Sequence, residues 1–235
     1  MDKLLVALDV ESGARALELA DSLRGIAGGF KIGSRMFTLE GPAIVRALTD
    51  KGDRVFLDLK FHDIPNTVAT AVAAATSLGV WMVNVHASGG APMMRAAVDA
   101  AGETSVREGV RRPLVIAVTV LTSMNAATLA ESGVSGSVLD QVLRLAKLTQ
   151  SAGLDGVVAS PRETGLIREN CGSDFAIVTP GIRGGSAVTA GKDDQERTMT
   201  APEAVAAGAS YIVVGRPIIA APDPRAAAER LVADL

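Results

Sequence analysis

The chain has 235 residues, 48% of them hydrophobic, enough to bury one substantial core in a single domain spanning 1–235. Its net charge of −3, with no long run of Lys or Arg, excludes an evident nucleic-acid or anionic-membrane surface. The lone cysteine, Cys171, excludes an internal disulfide and fits a reducing, cytoplasmic setting.

The first apolar run is cut at Asp9, too early for a signal peptide. Eight short, mostly apolar runs then alternate with helical patterns: 4–9, 30–33, 55–59, 81–86, 114–119, 154–160, 175–180 and 211–215. Apolar residues at consecutive positions mark parallel strands covered on both faces. The helical stretches carry start signals. Ser12 opens the first, Pro42 sits near the first turn of another, and Val138, Val142, Leu145 and Leu148 form one stripe. Thr200 with Glu203 reads as a capping box, and Asp223 ahead of Pro224 caps the last helix. Residues 64–94 lack formal charge but are broken by Asn66, Ser77, Gly79, Asn84 and His86. A buried helix, a glycine turn and a buried strand are expected there, rather than a membrane span. Eight strand–helix repeats in about 250 residues predict an α/β fold, the (β/α)8 TIM barrel. Alternation alone leaves a doubly wound open sheet as the other arrangement.

In a barrel the strand C-termini carry the chemistry. The segment Phe56–Thr67, FLDLKFHDIPNT, places Asp58, Lys60 and Asp63 within six residues, and Lys31 lies on the neighbouring strand. Singly, these read as a salt bridge at the mouth (Asp58, Lys60), a helix N-cap (Asp63) and a snorkelling surface lysine (Lys31). Together they would be expensive to desolvate without a use. A lysine flanked by carboxylates keeps its proton, so Lys60 suits proton donation better than Schiff-base attack. Its ammonium would also compete with a metal for Asp58 and Asp63. Delivery of a proton to a carbanion is the chemistry such an array suits. His62 and His86 are expected in hydrogen-bonded structural roles.

The opposite end of the sequence reads as an anion site. Gly215 lets an oxyanion approach and Arg216 can grip it. The long Gly- and Ser-rich stretch from Thr179 to Pro202, with Arg183 and Gln195 near its two ends, is expected to form a lid. The substrate expected is a phosphate ester.

FLDLKFHDIPNT, with FKIG, VNVHASGG, VTVLTSM, VTPGIR and VGRPI in that order, closely resembles the bacterial orotidine 5′-phosphate decarboxylases from Asp9 to Pro217. The resemblance implies conversion of orotidine 5′-phosphate to UMP without cofactor or metal, in a homodimer with active sites at the subunit interface. It implies that Lys60 protonates C6, with Asp58 and Lys31 in the same network and Asp63 entering from the partner. It further implies Asp9, Lys31, Asp63 and Thr67 at the ribose, Thr122 at the pyrimidine, and Arg183, Gln195, Gly215 and Arg216 at the phosphate. Three rivals share parts of the pattern: a Mg²⁺-dependent decarboxylase of sugar-phosphate β-keto acids, a Schiff-base aldolase using Lys31 or Lys60, and a phosphate-binding barrel without chemistry.

Overall fold

Eight parallel strands close on themselves in the computed structural model, which describes residues 2–183 and 199–235. In chain order they begin with β1 (Leu4–Ala7), β2 (Gly29–Gly33), β3 (Val55–Phe61) and β4 (Met82–His86). β5 (Leu114–Val118), β6 (Gly156–Val158) and β7 (Ala176–Thr179) follow. Two short strands, β8 (Ile182–Arg183) and β9 (Met199–Thr200), pair with each other, and β10 (Tyr211–Val214) completes the barrel. β10 bonds to β7 on one side and to β1 on the other, so the open-sheet alternative is excluded.

Away from the C-terminal mouth the strands are apolar because both their faces are covered. Leu5, Phe56, Met82, Ile116, Val178 and Val213 fill the interior as one cluster. The alternate residues, among them Leu4, Leu57, Val83, Val115 and Ile177, belong to the larger core under the helices. This is the period-two division expected of a strand buried on both sides. At the N-terminal end, Trp81 and Tyr211 meet edge to face with ring centroids 5.0 Å apart. The Arg54 guanidinium lies 5.6 Å from the Trp81 ring centroid. This aromatic pair stoppers the bottom of the barrel.

The helix starts follow the sequence signals. Ser12 Oγ accepts the Arg15 N–H, Thr200 and Glu203 form the capping box, and Asp223 caps Pro224–Ala233. In Val138–Ser151 the predicted stripe faces inward, with Val142 and Leu145 buried and Val138 and Leu148 packed beside them. The uncharged segment folds as helix Pro65–Ser77, a turn at Gly79 with φ 75°, and β4. No helix among the described residues is long and apolar enough to cross a membrane.

The structure corrects several boundaries. A helix at Ser34–Glu40 precedes Pro42–Thr49, and Gly41 at φ 62° separates the two. Strand β1 ends at Ala7, short of Asp9, and β6 covers only 156–158. β3 instead runs on to Phe61, and its register against β4 is interrupted between Leu57 and Phe61.

Candidate active site

The C-terminal mouth of the barrel is divided by chemistry. From β5 round to β10 the inner layer is apolar, with Val118, Val158, Val178 and Val213 in the interior cluster. From β1 to β4 it is polar, with Asp9 just past β1, Lys31 in β2, Asp58 and Lys60 in β3, and Asn84 in β4.

The charges alternate along a connected chain. Lys31 Nζ lies 3.0 Å from Asp9 Oδ2 and 3.5 Å from Asp58 Oδ2. Lys60 Nζ donates to Asp58 Oδ1 at 2.6 Å, and Asn84 Nδ2 donates to the same oxygen at 2.7 Å. The inner members are shielded, with the Lys31 and Asp58 side chains 10% and 13% exposed. The outer ones open to the mouth, with Lys60 at 35% and Asp9 at 45%. Burial pushes the Asp58 carboxyl up, but the charges of Lys31 and Lys60 and the hydrogen bonds from Lys60 and Asn84 outweigh it. Asp58 is thereby held below the usual carboxylate range and stays ionised. Lys60 is then an accessible ammonium on a fixed carboxylate, able to deliver a proton to a group in the mouth. A cation at Asp58 would have to displace one of the two ammonium groups that flank it.

The remaining sequence candidates divide. Asp63 and Thr67 are exposed and stand apart from the charged chain. Asp63 Oδ1 accepts the Ile64 N–H at 2.6 Å, and Ile64 rather than Asp63 occupies the cap position of helix Pro65–Ser77. The N-cap reading of Asp63 is thus corrected, since Pro65 at N1 sets the helix start two residues later. The snorkelling reading of Lys31 is corrected too, because its ammonium is held inside the barrel wall by Asp9 and Asp58. Thr122 is half-buried in the segment after β5. Gly215 caps the short helix Arg216–Ile219. A Cβ added at Gly215 would meet only ordinary contacts with Ala7, so internal packing does not demand a glycine there. Arg216 is exposed at the first position of that helix. The Arg183 backbone pairs with Thr200, while its side chain, Gln195 and most of the expected lid lie outside the described residues.

His62 and His86 pack ring against ring, with centroids 5.4 Å apart and planes tilted by 34°. Among the described residues this ring contact is the interaction that the two imidazoles share. Two further residues shape the site. Asn84 reads from sequence only as a polar residue near a strand end, and nothing there signals its bond to Asp58. Gly33 matters through space. A Cβ on it would come within 2.8 Å of Lys31 Nζ and 3.1 Å of Asp9 Oδ1, so the glycine leaves room for that ion pair.

Comparison with known proteins bears on the family and the fold. The family model described as orotidine 5′-phosphate decarboxylase / HUMPS matches residues 2–231. The chain is similar to the orotidine 5′-phosphate decarboxylase of Syntrophotalea carbinolica, 55% identical over 233 residues, covering 99% of this chain and 94% of the relative. It is 53% identical over 237 residues to that of Moorella thermoacetica, covering 100% of this chain and 92% of the relative. Among solved structures, the orotidine 5′-phosphate decarboxylase of Lactobacillus acidophilus superposes with a TM-score of 0.86 at 37% identity, over 99% and 98% of the two chains.

Proposed function

The chain belongs to the orotidine 5′-phosphate decarboxylase / HUMPS family, and from that membership we propose that it converts orotidine 5′-phosphate to UMP in pyrimidine biosynthesis. The observation that carries the reading is the alternating chain Asp9–Lys31–Asp58–Lys60 on one wall of the mouth. The C6–carboxylate bond breaks, CO₂ departs, and the electron pair stays on C6. Lys60 stabilises that pair electrostatically and donates its proton to form the C6–H bond. It recovers a proton from solvent afterwards. Asp58 crowds the substrate carboxylate, and the Val118–Val158–Val178 side offers the leaving CO₂ an apolar surface.

The reaction needs no cofactor or metal in this reading, because fixed ammonium groups supply the positive charge. Asp9 and Lys31 contact the ribose and Thr122 the pyrimidine. Gly215, Arg216, Arg183 and Gln195 hold the phosphate, whose binding energy drives closure over the site. The active unit is a homodimer. Asp63 and Thr67 are assigned to the partner's site, a placement supported by their exposure beside Ile64, itself 67% exposed.

The test is incubation of purified protein with orotidine 5′-phosphate after exhaustive EDTA treatment, following the pyrimidine absorbance. Turnover unaffected by EDTA is expected, and Lys60→Ala should abolish it. Activity lost with EDTA and restored by Mg²⁺ would favour the β-keto acid decarboxylase reading instead. Borohydride trapping of a lysine adduct would favour the aldolase.

A further inference from the structure

We propose that Asn84 is a positioning residue that sets the geometry of Lys60 from the neighbouring strand. The proposal rests on the proton-donor reading of Lys60 and assigns the device that holds that donor in place.

Lys60 has an unusual backbone. Among the described residues it is the one non-glycine with a positive φ, at 54°. L side chains disfavour that region, so it persists only where the surroundings over-determine it. The adjoining ladder is irregular as well. Leu57 pairs with Val83 and Phe61 with Val85, so β3 spends four residue steps where β4 spends two. Such a bulge re-aims a side chain at the edge of a site.

Asn84 fills the gap that this irregularity opens. It is fully buried in β4, and its Oδ1 accepts the Lys60 backbone N–H at 2.8 Å. Its Nδ2 donates to Asp58 Oδ1 at 2.7 Å, the same oxygen that receives the Lys60 ammonium at 2.6 Å. Chemistry fixes the amide's orientation, because a backbone N–H can only donate and an ionised carboxylate can only accept. One side chain thus clamps the donor's main chain and its carboxylate partner together. The same bond turns Asp58 so that Oδ2 faces Lys31. Neither a hydrocarbon nor a hydroxyl of smaller reach can make both bonds.

Three variants and two readouts test this. Wild-type protein is assayed on orotidine 5′-phosphate in parallel, so an inactive wild type counts against the proposed reaction alone. Labelling of Lys60 by acetic anhydride, read by peptide mass spectrometry, reports on the clamp without any turnover. Asn84→Ala should lower kcat by about 100-fold with KM changed by less than about threefold, as expected for a reacting group displaced by roughly an ångström. Its Lys60 should label several times faster than in wild type, with the other lysines unchanged.

Asn84→Asp separates positioning from packing, because it keeps the shape. At low pH the introduced carboxyl is protonated and can still donate to Asp58. As pH rises the two carboxylates repel, so the ratio of variant to wild-type kcat should fall by about tenfold or more between about pH 5 and pH 8. If Asn84→Ala does not fold, Asn84→Asp and Asn84→Ser decide the matter on the same readouts. Wild-type kcat and Lys60 labelling in these variants would overturn the proposal. So would a loss confined to KM, or a pH-independent ratio for Asn84→Asp.

Discussion

Burial lowers the proton affinity of the His86 imidazole, and the neighbouring His62 and Lys60 push the same way against the weaker opposing effect of Asp58. Its folded pKa therefore lies below the unfolded one. The associated stability is fully present above the ordinary histidine value and is lost as pH falls through the folded pKa, because the unfolded chain binds the proton first. Urea unfolding from about pH 7.5 to about pH 5 should show wild type losing more stability than His86→Gln. Parallel curves would remove His86 from that dependence. At this scale the sequence was informative about charge and poor about partners. Asp58, Lys60 and Lys31 stand out because ionisable groups are rare in strands. Asn84 and Gly33 do not, since their roles depend on which atoms approach across strands, and a one-dimensional pattern does not encode that.

The elements show the same division. Apolar periodicity located all eight barrel strands, and start signals located the helices that begin after Ser12, at Pro42, after Thr200 and after Asp223, because these are local properties of consecutive residues. The helix at Ser34–Glu40 escaped because it carries no side-chain cap bond and follows its strand directly. The β3 irregularity escaped because it is a property of the β3–β4 pair. One strand contact yields a direct prediction. β6 is only three residues long, and Gly156 lets the β7 backbone come close, for a Cβ there would overlap the Ala176 carbonyl. Gly156→Ala forces main chain apart and should destabilise the protein by about 3 kcal/mol. Calorimetry should then show a Tm lower by roughly 6–12 °C. An unchanged Tm would mean that the two strands part freely.

For the whole molecule, the proposed shared site predicts complementation between defective subunits. Suppose Lys60→Ala and Asp63→Asn are each nearly inactive as homodimers. A mixed dimer then holds one site with both lesions and one with neither. Random exchange of equal amounts gives about half mixed dimers, so roughly a quarter of wild-type activity should return. No recovery after verified exchange would mean that Asp63 serves its own chain.

The aromatic stopper at the foot of the barrel has a further consequence. Trp81 and Tyr211 seal the N-terminal end, and the packed layer of Phe56, Met82 and Ile116 lies between them and the charged wall. The barrel is therefore a cul-de-sac, with entry and exit by the same door. A nucleotide bound in the mouth as proposed would also block the route by which bulk water could reach Lys60. In the proposed reaction each visit would then carry a single proton, loaded before the door is occupied and spent once inside. On that proposal the next proton would have to wait until the product leaves, so the shape of the vessel would tie reloading of Lys60 to product departure.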